Sequence, residues 1–486
     1  MLPPEIEFAQ ADANDSRRLN RRVRAGELRK LLPRVYTSNL LADDAFLVKK
    51  HLHLILARLF PGSLYSHRSA LEFGISPQGN LYLTGSQRRV YRWPGVTVRI
   101  AAGPPPLPDD HPLYPNLYAS SLERACLENL QSSRTVDGER RTVDQAVVED
   151  RLLVHFNTRG EEGLQRFRDR ATEIAVSFGW TSELQRLQKI IGALLASQPA
   201  TILQSPAATA LALGEPYDTG RVALFRSLAA TLLKQDFPFL PAKTNTPKQY
   251  AAFAFFESYF SNYIEGTVFE VEEARSIIQS GSDIPNRHAD SHDIRGTYHL
   301  VADPKEMQQV PANPDMLIHL LQRRHAVLLD GRPDKRPGLL KKRVNRAGDT
   351  VFVHPDQVRG TLREGFHLLG SLAHPFARAL YLMFLIAEVH PFADGNGRIA
   401  RVMMNAELSA GGQTKLIIPT VYRTDYLLNL RKLSRQQQAE GYVRMMLRAW
   451  QYSHWIEPTN LDDMEDQFRR TNAFRDSDEA ALIFPV

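Results

Sequence analysis

The chain has 486 residues, 43% of them apolar and 23% charged, with a formal net charge of +6. That balance fits a globular chain of two or three domains and excludes a low-complexity or fibrous one. The single cysteine, Cys126, excludes an internal disulfide framework. No N-terminal signal pattern is visible, and no apolar run approaches the ~20 residues of a membrane helix, so a cytoplasmic setting is expected.

In chain order, the first predicted element is a basic helix, Ser16-Arg-Arg-Leu-Asn-Arg-Arg-Val-Arg-Ala-Gly26, with Ser16 as cap, Leu19 and Val23 inward and Gly26 as stop. Arg17, Arg18, Arg21, Arg22, Arg24, Arg29, Lys30 and Arg34 crowd a stretch whose one acid is Glu27. A helix runs from Asp44 to Phe60, followed by Ser66-His67-Arg68-Ser69-Ala70-Leu71, where His67 reads as a structural histidine. This order resembles AbiEi-type antitoxins and transcriptional regulators over residues 10 to 75, which implies a winged-helix-like DNA-binding unit. The leading helices usual in that group are not evident before Ser16. DNA contacts would come from Arg17, Arg18, Asn20, Arg21 and Arg24, the arginines on phosphates and Asn20 or Arg21 on base edges. The bland alternative is a solvated basic helix with its apolar stripe inward.

Residues 78 to 103 alternate apolar and polar positions and predict strands, and Gly103-Pro-Pro-Pro-Leu-Pro108 is an extended connector. From Leu113 to Gln198 the pattern is helical, with a solvated charged face between Glu149 and Arg170. Proline and glycine rise near residues 204 to 216, which sets a boundary. Domain limits are expected at 1–75, 76–213, 214–300, 301–470 and a tail at 471–486.

Beyond the boundary, Ser261-Asn-Tyr-Ile-Glu265-Gly266 puts Ser261 and Glu265 four apart on one helical face, with Gly266 as a helix stop. Asn286-Arg-His288-Ala-Asp290-Ser-His292-Asp293 reads as a polar loop without zinc-ligand spacing. Asn345-Arg-Ala-Gly348-Asp-Thr350-Val351-Phe352-Val353 reads as a hairpin around Gly348-Asp349. His374-Pro-Phe-Ala-Arg378 starts a long apolar helix at its proline. That helix delivers His390-Pro-Phe-Ala-Asp394-Gly395-Asn396-Gly397-Arg398-Ile-Ala-Arg401. A glycine-bearing loop opening a second helix presents backbone N–H groups to an anion. Arg398 and Arg401 share one face of that helix, Asp394 is a hard oxygen ligand for Mg²⁺, and His390 is a base near neutrality. These parts suit phosphoryl or nucleotidyl transfer.

The segment from His390 to Arg401 resembles the signature of the Fic (Fic/Doc) family, matching each of its fixed positions. The resemblance implies a mainly α Fic core with a β-hairpin flap, beside an N-terminal α+β winged-helix-like region. It implies transfer of AMP from ATP to a Ser, Thr or Tyr hydroxyl of a target protein. His390 would be the general base and Asp394 would hold Mg²⁺ on the α- and β-phosphates. Gly395, Asn396 and Gly397 would cradle phosphate oxygens, Arg398 the β-phosphate and Arg401 the γ-phosphate. Gly397, where Doc-type kinases carry Lys, favours nucleotidyl transfer. Ser261, Glu265 and Gly266 fit the family's inhibitory motif, in which the Glu competes for Arg401. Thr350, Val351 and Phe352 stand at the target-docking flap. Tyr426 stands at the adenine pocket or serves as a core aromatic; Leu427 and Ser434 depart from the usual aromatic and Asn. Two other readings follow: AMP hydrolysis from modified targets with Glu265 positioning water, and a DNA-binding regulator or toxin–antitoxin fusion whose Fic part senses nucleotide. A homodimer is compatible with each.

Overall fold

The computed structural model describes residues 4–10 and 13–484. The chain divides into two compact units, residues 1–213 and 214–486.

The first unit is mixed α and β. It opens with β1 (Ile6–Phe8), α1 (Ala13–Arg24), β2 (Arg29–Leu32) and β3 (Val35–Thr37). The strands form an antiparallel sheet in the order β1-β3-β2. α1 starts at Ala13, so Ser16 lies inside the helix rather than at its cap. Asp15 belongs to the first turn, where a negative charge suits the positive helix end, and it accepts the Gln10 N–H at 2.8 Å. Leu19 packs with Ala9, Leu28 and Tyr36, with Val23 against them.

The helix expected from Asp44 to Phe60 is two, α2 (Asp44–Lys50) and α3 (Leu52–Leu59). The break is His51 (φ −108°, ψ 18°), whose ring is drawn to Glu5 at 2.8 Å. Next come β4 (Ser63–Tyr65), α4 (Arg68–Leu71), β5 (Asn80–Gly85), β6 (Arg89–Trp93), β7 (Val96–Ala102), β8 (His111–Tyr114) and β9 (Leu117–Ala119). They build one sheet in the order β6-β7-β5-β4-β9-β8, with β5/β7 and β4/β9 parallel. β4 pairs with β5 and β9, so this sheet runs across position 75/76. The helical reading from Leu113 is corrected here: β8 and β9 fill that stretch, since Pro112 and Pro115 withhold the amide donors a helix needs. Helices resume with α5 (Leu122–Asn129), and a small hairpin of β10 (Thr135–Val136) and β11 (Glu139–Arg140) follows. α6 (Gln145–Phe178), kinked at Gly160 (φ 66°), α7 (Thr181–Leu194) and α8 (Pro206–Ala212) complete the unit. His67 is buried, its N–H donated to Glu128 and its ring against Ser66 and Gln131, the environment of a structural histidine.

The second unit is helical apart from one hairpin. It comprises α9 (Thr219–Leu232), α10 (Pro247–Ile264), α11 (Val271–Ser280), α12 (His288–Val301), α13 (Pro304–Met307) and α14 (Pro314–Leu328). The hairpin of β12 (Arg346–Ala347) and β13 (Thr350–Val351) follows, then α15 (Val358–Leu369), α16 (Pro375–Val389), α17 (Asn396–Ala410), α18 (Arg423–Gln436), α19 (Ala439–Trp455) and α20 (Leu461–Arg470). α16 is buried on all its faces and forms the centre of the core. A helix with no polar face has no stable place except inside. Pro375 opens it, and His374 caps it by accepting the Phe376 N–H at 3.2 Å.

The polar loop read at residues 286–293 is corrected: from His288 onward it is helix α12. Its polar residues reflect buried ion pairing rather than solvation, since Ser291 and Asp293 are buried. α10 is pinned to its neighbours by polar contacts as well as by its phenylalanines. Glu257 pairs with Lys415 at 2.5 Å and accepts from Asn405 at 2.8 Å, while Ser258 donates to the Ile294 carbonyl at 2.8 Å. Those anchors hold α10 beside α12 and α17, and Glu265 caps its C-terminal end.

Candidate active site

Helix α16 terminates at His390, whose backbone takes the left-handed conformation (φ 53°, ψ 60°). A non-glycine residue holds that conformation at a cost, which the surrounding structure must cover. The turn throws the chain into the loop of residues 391–395, and Gly395 (φ 71°) redirects it into α17. Asn396 latches the loop. Its Oδ1 accepts the Phe392 N–H at 2.8 Å and its Nδ2 donates to the Phe392 carbonyl at 2.9 Å. Both polar ends of the Asn396 side chain are thereby used inside the loop, so its side chain holds the cradle instead of lining it. No side chain caps α17, which leaves its first-turn amides as the anion-facing group.

His390 Nδ1 lies 3.2 Å from the Ala387 carbonyl. A carbonyl only accepts, so Nδ1 carries the proton and Nε2 keeps its lone pair. Burial lowers the His390 pKa to about 4, with Lys341 adding to the effect. The ring is covered by Phe352, stacked at 3.8 Å between centroids and 9° between planes. Phe352 follows the hairpin, where Arg346 pairs with Val351 and Ala347 with Thr350, and Gly348 supplies the positive φ (56°) of the turn. Three contacts tether this flap. Arg221 donates to the Val351 carbonyl (2.7 Å), Arg435 to Thr350 Oγ1 (2.9 Å), and Phe352 N–H to the Asn345 carbonyl (3.2 Å). Arg221 also pairs with Glu388 on α16, to which Ser434 donates at 2.9 Å.

Asp394 has its Oδ1 on the Gly395 N–H at 2.7 Å, and its Oδ2 is 3.9 Å from Lys335. The side chain is half-exposed beside the helix start. Among the described residues no group of three or more His, Cys, Asp or Glu could enclose a metal ion. One carboxylate beside an anion site suits a cation that takes its remaining ligands from phosphates and water, which is the habit of Mg²⁺.

Arg401 is 5% exposed and fully engaged. Its Nε donates to Ser261 Oγ at 2.9 Å, and its Nη2 to the Ser261 carbonyl at 2.8 Å and to Glu265 Oε1 at 2.7 Å. Burial lowers its pKa, but Glu265 and Tyr426 outweigh that and raise it overall. Glu265 is the C-cap of α10, and Gly266 (φ 93°) makes the turn after it. The Glu265 carboxylate reaches across the first turn of α17: a Cβ built on Gly397 would overlap Oε1 and lie 3.0 Å from Cδ. Glycine leaves room for the carboxylate in this position; a larger residue would oblige it to shift.

Tyr426 is 1% exposed, with its hydroxyl 3.5 Å from Arg401 Nη1. Arg398, also buried, pairs with Asp293 at 2.5 Å.

Three contributors were missed in the sequence. His325, on α14, accepts the Gly338 N–H with Nδ1 (2.9 Å) and therefore donates Nε2–H to the Asp394 carbonyl (3.0 Å), with its ring stacked 3.7 Å from Phe392. Burial lowers its pKa to about 4, which keeps that neutral tautomer. Lys341 donates to Asn345 at 2.8 Å, and burial followed by Arg221 lowers its pKa to about 7. Asp293 was read as a loop residue. Each depends on contacts more than thirty residues away or on burial, so no local pattern marks it.

Residues 315–408 match the Fic/DOC family model. The chain is 24% identical over 203 residues to protein adenylyltransferase fic-1 of Caenorhabditis elegans, covering 41% of this chain and 40% of that protein. It is 36% identical over 76 residues to protein adenylyltransferase Fic of Drosophila sechellia, covering 16% and 15%. The chain thus spans about 40% of the length of the first of these curated relatives. Among solved structures it is similar to a Fic-1 fragment from C. elegans, at 18% identity and a TM-score of 0.39, covering 66% of this chain and 98% of the other. A Fic family protein from Desulfovibrio desulfuricans G20 gives 18% identity and a TM-score of 0.38, covering 52% and 77%.

Proposed function

We propose that the second unit is a protein adenylyltransferase held off by its own chain. The observation that carries this reading is Arg401: one helix turn past the uncapped start of α17, it is bound by both Ser261 and Glu265. An Arg–carboxylate pair is directional and charge-assisted, so an arginine held in this way is withheld from a phosphate.

In the released state, the triphosphate of ATP lies along the first-turn amides of residues 396–398, with Arg398 and Arg401 on its outer phosphates. A target hydroxyl docks against the edge of β13 beside His390. Nε2 of His390 takes the hydroxyl proton, the oxygen attacks the α-phosphorus, and the bond to pyrophosphate breaks. Charge developing on pyrophosphate is met by the two guanidiniums and the helix amides, so positioning and electrostatics carry the rate. Asp394 would hold Mg²⁺, which when bound neutralises phosphate charge. The His390 proton is delivered to bulk after departure of the modified target.

Glu265→Gly, incubated with ATP and Mg²⁺ and followed by intact-mass spectrometry, is expected to gain the mass of AMP on itself or an added protein at least tenfold faster than the parent chain. Glu265→Gly/His390→Ala should lose at least a hundredfold of that rate, the usual worth of a positioned base. Equal rates in parent and Glu265→Gly would remove the inhibitory role. Undiminished labelling without His390 would remove the base.

A second activity is favoured by α1, whose Arg17, Arg18, Asn20, Arg21 and Arg24 are exposed while Leu19 is buried. Arg18 spends part of its charge on Asp15 and Arg22 on Glu7 and Glu27, leaving Arg17, Arg21 and Arg24 for a duplex. A gel shift with the chain's own upstream DNA should weaken steeply between 50 and 200 mM salt, roughly tenfold or more for a few phosphate contacts. Binding that ignores salt, or no binding at 50 mM, argues against DNA as the partner.

A further inference from the structure

The two arginines of α17 are in opposite states. Arg401 spends Nε and Nη2 on Ser261 and Glu265. Arg398 is just as buried, yet its Nε and Nη1 make no hydrogen bond. Nη1 lies 2.5 Å from Asp293 Oδ2 as an ion pair, outside hydrogen-bonding geometry.

Asp293 has a second, directional commitment. Arg332, in the segment after α14, grips it with both prongs, Nε to Oδ1 at 2.9 Å and Nη2 to Oδ2 at 2.5 Å. Arg332 also reaches Asp290 at 3.4 Å, which Arg287 approaches at 3.2 Å. Three guanidiniums thus share two carboxylates, and one positive charge remains uncompensated. Asp293 is almost wholly buried and Arg332 mostly so, so this charge is poorly screened. The member in the first turn of α17 is Arg398, whose Nη1 faces Asp293 while its Nε has no partner.

We propose that Asp293 and Arg332 are positioning residues that hold Arg398 ready for the β-phosphate of a nucleotide. The assignment rests on the adenylyltransferase reading for the identity of that anion. Asp293 offsets enough charge to keep a guanidinium buried at the helix start. Arg332, by taking the directional hydrogen bonds of Asp293, prevents the carboxylate from claiming those of Arg398. The two arginines are therefore held differently: Arg401 by directional hydrogen bonds to Ser261 and Glu265, Arg398 by charge alone with its Nε unpartnered.

The test uses the full chain carrying Glu265→Gly, titrated calorimetrically with ADP, AMP and inorganic pyrophosphate in the presence of Mg²⁺. Asp293→Asn, close to isosteric, and Arg332→Ala, at a more exposed position, are each added to it. Each is expected to weaken ADP and pyrophosphate binding about tenfold, the worth of one charge-assisted hydrogen bond, and to leave AMP binding within twofold. Arg332→Lys keeps the charge without the two-pronged grip and should recover only part of the loss. Loss of ADP and AMP affinity in parallel, or no loss in either variant, would overturn the proposal. If the Glu265→Gly chain binds neither nucleotide but binds pyrophosphate in an Asp293-dependent way, the positioning role stands and the adenylyl-transfer reading falls.

Discussion

At the scale of single residues, the site is a contest over charge. Arg401 is nearly inaccessible to solvent, so whatever holds it must be an anion or a dipole of the chain itself, and Glu265 and Ser261 supply both. Removing one partner of such a pair leaves the other charge partly unpaired. Glu265→Gly is therefore expected to be less stable than the parent by about 1–3 kcal/mol, with part of that regained when ADP is bound. Thermal unfolding with and without ADP measures both quantities, and a stability equal to the parent's would show that the pair is not a net stabiliser. This pairing was readable only through the resemblance of Ser261, Glu265 and Gly266 to the family's inhibitory motif; helical spacing by itself showed that Ser261 and Glu265 share a face. The same reading missed Asp293, since a polar cluster in sequence does not reveal that two arginines bury it.

At the scale of elements, the flap and the end of α16 act on one another. Phe352 covers His390, and burial is the first cause of the low pKa of that ring. A base acts only when deprotonated, so activity falls as pH drops through its pKa. Glu265 raises the His390 pKa slightly, so in the Glu265→Gly background the acid limb of the rate profile should fall at or below about pH 4. Adding Phe352→Ala lets water reach the ring and should move that limb by a unit or more toward the ordinary 6.5. An acid limb that stays in place would mean that the flap does not set the proton affinity of His390. The hairpin was legible from its Gly348-Asp349 turn and the helices at the site from their apolar runs. The start of α1 and the break at His51 were not, because they depend on Asp15 and Glu5 finding partners across the fold. β8 and β9 were hidden for a different reason, being too short to show alternation.

At the scale of the whole molecule, the contacts around Arg401 belong entirely to one unit. Ser261, Glu265, His390, Arg398 and Arg401 all lie within residues 214–486. Among the described residues, the apolar core beneath them runs from Leu224 to Leu482. The fragment 214–486 is expected to fold cooperatively alone, and to be as quiet towards ATP as the full chain until Glu265→Gly is introduced. A fragment that labels freely with Glu265 intact would place the restraint elsewhere. No helix among the described residues is long and apolar enough to cross a membrane.

Gly397 has no side chain because Glu265 occupies the space where one would begin. The two positions are therefore coupled. A side chain gained at 397 obliges the Glu265 carboxylate to swing aside, so substitution at either position loosens the hold on Arg401. The change at 397 also adds bulk among the first-turn amides, whereas the change at 265 does not. Gly397→Ala is thus expected to release Arg401 less cleanly than Glu265→Gly, and a Gly397→Ala/Glu265→Gly chain to label no faster than Glu265→Gly alone.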